Sequence, residues 1–273
     1  MVTQTYNSVA NRSRHASHAE STKNAGAMSE GRLILNADDW GRDRETTQRI
    51  LDCSMRGVLS SASAMVFMED SAEAAAIARD RRIDTGLHLN LTTQFSAPDC
   101  PREIVDLQKR VASSLRCHRL SPALFHPWLK RSLAYLVTAQ IQEYGRLYGA
   151  PPARIDGHHH MHLCIDVLAG HLLPPGIIVR RSFSFSRGEK TWVNRLYRRC
   201  VDRTLARRHR LTDFFFSITP LEPQRLQRIV ALALHHAVEI ETHPVNPDEY
   251  QFLIGGGLAR LLGDVPIAPG FAV

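Results

Sequence analysis

Two adjacent carboxylates, Asp38 and Asp39, follow a short apolar run in the segment NADDW, residues 36–40. Carboxylates placed where a buried strand opens into a loop repel each other and resist the loss of water, so this pair indicates a bound metal ion. Neighbouring side chains on an extended backbone point in different directions. One carboxylate can therefore hold the metal while the other accepts a proton.

Histidines form the second group of residues that could do chemistry. The segment DGHHHMH, residues 156–162, has four imidazoles in five positions, which is costly unless at least one binds a metal or transfers protons. An exposed histidine-rich loop is the alternative. His88 stands between two leucines and, taken alone, is typical of a hydrogen-bonded core histidine. His243 ends a late predicted strand within the segment ETHP, residues 241–244, and alone it is as compatible with a structural role as with a functional one.

Taken together, Asp39, His88 and His158 form a standard catalytic metal set of one carboxylate and two neutral imidazoles. Such a set leaves coordination positions for water and substrate, and it suits one divalent ion, either Mg²⁺ or Zn²⁺. An Fe(II) oxygenase typically draws a histidine and a carboxylate from one short motif, whereas Leu89 and Asn90 follow His88. Hydrolysis is the better interpretation, and beside a metal His243 is the obvious general acid.

Strand ends must bring these residues together. Short apolar or alternating runs predict strands at 32–37, 58–67, 85–91, 154–157, 177–185, 213–218 and 238–242. Helical spacing predicts helices at 45–56, 71–79 and 133–148. Residues 92–127 contain proline and mixed charge without clear periodicity, so we expect a long insertion on the substrate side. Repeated βα units predict an α/β fold, either a parallel barrel or a doubly wound sheet.

Composition limits the remaining possibilities. The chain has 273 residues, 44% of them hydrophobic, and we expect a disordered tail over residues 1–30 and a single catalytic domain over 31–273. No stretch approaches the roughly 20 apolar residues that a membrane span requires. The five cysteines form no CxxC pair, which predicts reduced thiols in a cytoplasmic protein.

The net charge of +7 is concentrated in residues 195–210, where seven arginines face only Asp202. Apolar residues recur there at helical spacing, which predicts an amphipathic helix with one basic face. A solvated face is the ordinary interpretation, and contact with an anionic substrate, a membrane surface or nucleic acid is the alternative. No known nucleic-acid motif accompanies the segment, so we expect no nucleic-acid partner. The sequence leaves open whether the protein forms a homodimer.

Four segments carry a family resemblance. The segments NADDW with Gly41, GLHLNLT at 86–92, DGHHHMH and ETHP resemble, in order, the four motifs of the YdjC-like carbohydrate deacetylases, which include the chitooligosaccharide deacetylases. The resemblance implies a deformed (β/α) barrel of the polysaccharide-deacetylase type, a divalent metal, and removal of an N-acetyl group from an amino sugar or short oligosaccharide. It also implies a role for each site residue: Asp38 as base, Asp39, His88 and His158 as metal ligands, and His243 as acid.

The sequence departs from the family pattern at a few positions near these motifs. The family tends to have Leu, Ser, Phe and Gly where this chain has Arg42, Asp43, Trp40 and Gln94. These changes bear on the substrate more than on the chemistry. Two other functions use the same residues: a metal-dependent phosphoesterase acting on a phosphorylated sugar, which the basic helix would suit, and a non-catalytic sugar-binding protein.

Overall fold

The computed structural model describes residues 31–118, 120–185 and 189–271, so the predicted tail over residues 1–30 lies outside the described part of the chain. Strands and helices alternate along the described residues. The strands are β1 (Arg32–Trp40), β2 (Ser61–Ala64), β3 (Thr85–Leu89), β4 (Arg154–Gly157), β5 (Ile178–Val179), β6 (Phe214–Ser217) and β7 (Ala237–Thr242). The helices are α1 (Arg44–Met55), α2 (Ser71–Arg81), α3 (Arg102–Arg116), α4 (Lys130–Tyr148), α5 (Ile165–Ala169), α6 (Trp192–Ala206), α7 (Pro223–Leu232), α8 (Pro247–Ile254) and α9 (Gly257–Leu262).

The strands form one parallel sheet in the order β5-β4-β3-β2-β1-β7-β6. Consecutive strands are neighbours from β1 to β5 and again from β6 to β7, and β1 adjoins β7. This is the circular order of a barrel, open between β5 and β6, rather than the order of a doubly wound sheet. Across the opening between β5 and β6, the segment after β5 contacts β6: the Ser184 N–H donates to the Phe215 carbonyl over 2.8 Å. The predicted α/β class and deformed barrel are confirmed.

Successive side chains of β1 point alternately to the outside and the inside of the barrel, and they pack in different apolar clusters. Leu33 and Leu35 are buried against the apolar faces of later elements, in a cluster that includes Leu226 of α7. Ile34 packs instead with Ile178 and Phe271 in a small apolar cluster. Each fully buried leucine contributes about 2 kcal/mol of transfer free energy, so the outward face of β1 fixes the strand register. That register aims Asn36 and Asp38 into the barrel.

The structure refines one expectation about the individual elements and contradicts another. Residues 92–127 contain the helix α3, whose buried positions are Ile104, Gln108, Val111, Ala112 and Leu115. Because the polar Gln108 interrupts the spacing of apolar residues, the sequence pattern did not predict this helix. The strand expected at 177–185 is confined to Ile178–Val179, because the next residue, Arg180, is buried in ion pairs inside the barrel. No helix in the described ranges is long and apolar enough to cross a membrane.

Candidate metal centre

The end of β1 departs from regular strand geometry where the two carboxylates lie. The pairing with β2 shifts register between Ala37 and Trp40, and Asp39 has a left-handed backbone with φ +73°. A non-glycine residue in this region costs of order 1 kcal/mol or more, and such strain is concentrated at functional sites. Both Asp38 and Asp39 are buried, with 2% of each residue exposed. The irregularity therefore brings two adjacent carboxylates into one buried site.

Three side chains converge at this point. Asp39 Oδ1 lies 2.8 Å from His158 Nδ1 and 3.3 Å from His88 Nε2. The three side chains each offer a ligand atom, all within 4.8 Å of one another. Asp39 Oδ1 is buried, and among the described residues neither imidazole meets it in regular hydrogen-bond geometry, as expected of an atom that would face a cation. One carboxylate oxygen and two imidazole nitrogens can hold a divalent metal ion.

Neighbouring charged groups orient the side chains of Asp39 and His88. Arg42 Nη1 lies 2.6 Å from Asp39 Oδ2, which leaves Oδ1 as the oxygen that faces the histidines. Burial would raise the pKa of Asp39, but its contacts with His158 and His88 outweigh this effect and hold the pKa well below its ordinary value. His88 Nδ1 lies 2.7 Å from Asp156 Oδ1, so its Nε2 remains directed at the cluster. Arg42, a departure from the family pattern, thus contacts a candidate ligand directly.

Asp38 is held apart from this set by Arg180. Two hydrogen bonds run from the guanidinium to the carboxylate, over 2.6 Å to Oδ2 and 2.8 Å to Oδ1, and Asn36 Nδ2 donates a third over 2.8 Å. Burial alone would raise the pKa of Asp38, but the charge of Arg180 outweighs it and the pKa is lowered. Asp38 Oδ2 lies 4.0 Å from His88 Nε2. An ionised, fixed carboxylate therefore stands beside the ligand set.

Arg180 is the centre of a buried charge network that the sequence patterns did not reveal. Its guanidinium also contacts Glu239 at 2.7 Å, Asp156 at 3.2 Å and Glu241 at 3.4 Å. Burial, followed by the negative charge of Asp38, raises the pKa of Glu241 well above its ordinary value. The sequence did contain one signal for this role. Arg180 directly follows the apolar run IIV, and a side chain at the end of such a strand can point into the barrel. Asp156 lies inside a recognised motif, yet no role was predicted for it.

His243 lies at the same edge of the sheet. Thr242 pairs with Ala37, so His243 and Asp38 are the next residues along two adjacent parallel strands. The backbone N–H of His243 donates to Glu249 Oε2 over 2.6 Å, which fixes the turn. Its side chain is partly exposed and has no hydrogen-bond or ion-pair partner within residues 31–118, 120–185 and 189–271. The imidazole is therefore available to a bound molecule.

The other histidines of the 158–162 cluster have different surroundings. His159 Nδ1 lies 2.9 Å from Thr92 Oγ1, and His162 Nε2 donates to the Arg180 carbonyl over 3.0 Å. Burial lowers the pKa of His162 to about 4, so this ring is neutral. His160 packs edge-on to Phe183, with ring centroids 4.6 Å apart. Of the four imidazoles, His158 is the one that joins Asp39 and His88.

Comparison with known proteins shows the family of this chain. Residues 32–255 match the pattern of the YdjC-like proteins, and the chain belongs to that family. A chitooligosaccharide deacetylase of Serratia marcescens is 33% identical over 135 residues, which cover 48% of this chain and 50% of the relative. A carbohydrate deacetylase of Geobacillus stearothermophilus is 30% identical over 130 residues, covering 47% of this chain and 49% of the relative. The matched stretch thus spans about half the length of these curated relatives.

A solved structure from Enterococcus faecalis V583, described as a proposed cellobiose-phosphate cleavage protein, has a similar fold. It covers 88% of this chain and 97% of its own, with a TM-score of 0.59 and 20% sequence identity. At this level of identity the likeness supports the barrel fold alone.

Proposed function

We propose that this protein is a metal-dependent hydrolase that removes an N-acetyl group from an amino sugar or a short oligosaccharide. The observation that carries the proposal is the convergence of Asp39, His88 and His158 beside an Asp38 carboxylate fixed by Arg180. The names of the relatives from Serratia marcescens and Geobacillus stearothermophilus support the same chemistry. Two imidazole nitrogens and one carboxylate favour Zn²⁺ over Mg²⁺, which prefers oxygen ligands.

In this proposal the protein side chains divide the proton transfers. A divalent cation held by the three ligands would supply Lewis acidity, polarising the acetamide carbonyl and acidifying water. Asp38 accepts the proton of the attacking water, and the two hydrogen bonds from Arg180 keep its carboxylate ionised and in place. His243, on the adjacent strand end, donates a proton to the departing sugar amine. The amine leaves as a neutral group, and the acetic acid formed at the same time loses its remaining proton to the solvent to give acetate.

Metal analysis followed by a product screen tests this function. The purified full chain is expected to hold one divalent ion and to release acetate from N-acetylated mono- or oligosaccharides. Phosphate release from phosphorylated sugars would instead favour the phosphoesterase. If the metal-loaded protein binds sugars but hydrolyses none of them, a binding protein is the better description and the proposal is wrong.

The acid role of His243 needs a separate experiment. His243→Gln is expected to lose most activity on an N-acetylated amino sugar, because that leaving group must be protonated. Activity on an aryl acetate ester, whose leaving group departs without a proton, is expected to persist. Equal losses on both substrates would contradict the assignment. We also propose a cytoplasmic location, which the free thiols of all five cysteines support.

A further inference from the structure

Exposed apolar side chains are concentrated in two short segments. Of the eleven large hydrophobic side chains that are exposed in the described part of the chain, eight belong to these segments, whereas scattered single residues would be ordinary. The first ridge consists of Leu120, Leu124, Phe125 and Trp128. The second ridge consists of Trp192, Val193, Leu196 and Tyr197. Such concentrations mark interaction surfaces.

The first ridge lies beyond the carboxyl ends of the strands. Helix α4 runs antiparallel to β3, because Tyr144 Oη lies 2.8 Å from Thr85 Oγ1 at the start of the strand. At the other end of the strand, the Asn90 N–H donates to Gln140 Oε1 over 2.8 Å. Lys130, the first residue of α4, precedes Gln140 by about 15 Å of helix at 1.5 Å per residue. Trp128 therefore projects above the edge of the sheet that carries the metal centre.

The second ridge lies on the same side. Arg210, beyond the end of α6, pairs with Ile178 at the start of β5, while the Ser182 N–H past the end of β5 donates to Asp202 Oδ1 over 2.9 Å. Trp192 precedes Asp202 by about 15 Å of helix. The buried residues of α6 are Val201 and Leu205, both in its C-terminal half. The N-terminal half thus overhangs the barrel mouth.

Both segments that carry the ridges have an excess of positive charge. Residues 120–135 contain no aspartate or glutamate, and the second segment has none between Glu189 and Asp202. Exposed cations stand among the apolar residues of both segments: Lys130, Arg131, Lys190 and Arg199. The one acidic residue of α6, Asp202, is held by Arg181 at 2.7 Å. Tryptophan and tyrosine beside arginine and lysine suit the boundary between lipid headgroups and acyl chains. Anionic headgroups complement the charge.

We propose that the two ridges dock this protein on an anionic membrane surface, with the barrel mouth facing the lipid. The protein would lie on the membrane without crossing it. Because both ridges flank the metal centre, the substrate sugar would be presented from the membrane as the headgroup of a lipid. This last step rests on the proposed deacetylase function, whereas the docking itself does not.

Vesicle cosedimentation of the full chain tests the docking. We expect binding to vesicles of phosphatidylcholine mixed with phosphatidylglycerol, and at least about tenfold weaker binding to phosphatidylcholine alone or at high salt. Trp128→Ser combined with Trp192→Ser is expected to weaken binding by a further tenfold or so. The two side chains are 70% and 73% exposed, so the fold is expected to tolerate the change.

Two control variants match these changes. Leu234→Ser alters a side chain that is 55% exposed, on a residue whose backbone lies against Gly31 just before β1, at the opposite edge of the sheet. This variant is expected to bind vesicles like the wild type. For charge, Arg199→Gln is expected to weaken binding to anionic vesicles. Arg207→Gln is not expected to do so, because this exposed arginine lies at the C-terminal end of the same helix, toward the start of β5. Unfolding by heat, followed by circular dichroism, checks that all variants are folded.

The outcomes separate docking from catalysis. Failure of the wild type to bind anionic vesicles would overturn the docking proposal. So would a loss of binding in Leu234→Ser as large as that in the double tryptophan variant. The proposal is also wrong if the tryptophan changes only convert a dimer to a monomer. Acetate release from a soluble substrate is expected to be unchanged in the double tryptophan variant, while release from an N-acetylated glycolipid in vesicles falls. If no variant releases acetate but vesicle binding follows the expected pattern, the proposed function fails and the docking surface stands.

Discussion

Replacing Asp38 by asparagine would separate proton transfer from metal binding. Asp38 contacts Arg180 through both carboxylate oxygens and Asn36 through Oδ1. It lies outside the proposed ligand set of Asp39, His88 and His158, although it forms a second close group with His88 and Asp156. An amide cannot accept the proton of water, so we expect kcat to fall by about 100-fold to 10,000-fold. The metal content of the purified variant is expected to stay at the wild-type level. Steady-state acetate release and elemental analysis measure the two quantities.

The cost in stability can be bounded from the contacts of Arg180. In the Asp38→Asn variant the guanidinium keeps Glu239 at 2.7 Å and Asp156 at 3.2 Å. We therefore expect a loss of about 1–3 kcal/mol in the free energy of unfolding, less than the 3–5 kcal/mol typical of a buried charge left without a partner. Glu239→Gln is the matched control, because it weakens another ion pair of the same guanidinium. Its kcat is expected to stay within about threefold of the wild type.

Two results would refute this reasoning. Near-normal turnover by metal-loaded Asp38→Asn would show that another group accepts the proton. Loss of the metal together with activity would show that Asp38 is a ligand, and the division of roles between Asp38 and Asp39 would be wrong. If Glu239→Gln lost as much activity as Asp38→Asn, the effect would belong to the charge network as a whole rather than to a base.

Three further predictions concern the metal centre. Chelation is expected to lower Tm in differential scanning calorimetry, and metal added back at about 100 times Kd is expected to restore about 2.7 kcal/mol of stability; an unchanged Tm would count against a metal bound by the folded state. Asp156→Asn weakens the partner of His88 Nδ1 and is expected to lower metal affinity about 10-fold to 100-fold in titration calorimetry; unchanged affinity would exclude an orienting role. His158→Ala is expected to lose stoichiometric metal whereas His159→Ala, whose ring contacts Thr92, keeps it; equal loss in elemental analysis would contradict the ligand assignment.

Much of the candidate site follows from the sequence because its residues lie at the ends of parallel strands. Asp39, His88 and His158 follow or end β1, β3 and β4, and the carboxyl ends of these strands share one edge of the sheet. Residue type and position after an apolar run were therefore enough to group them. His243 follows β7 in the same way, and the pairing of β7 with β1 brings its backbone next to Asp38.

The parts that could not be predicted depend on contacts between distant residues. Arg180 lies in a run that reads as a continuing strand, and its role emerges only when Asp38 and Glu239, more than 50 residues away, surround it. Similarly, Gln108 occupies a core position of α3, because its Nε2 donates to the Thr93 carbonyl over 2.7 Å. A hydrophobic pattern cannot anticipate a polar core residue whose partner lies in a loop.

The docking ridges and the metal centre are joined by the same rigid elements. Gln140 of α4 bonds to the backbone just after β3, and Asp202 of α6 bonds to the backbone just after β5. Each helix is thereby anchored at the edge of the sheet where the ligands lie, and its N-terminal half extends past that edge. A surface that touches both ridges must face the mouth between them. Docking would therefore turn the candidate metal centre toward the membrane surface.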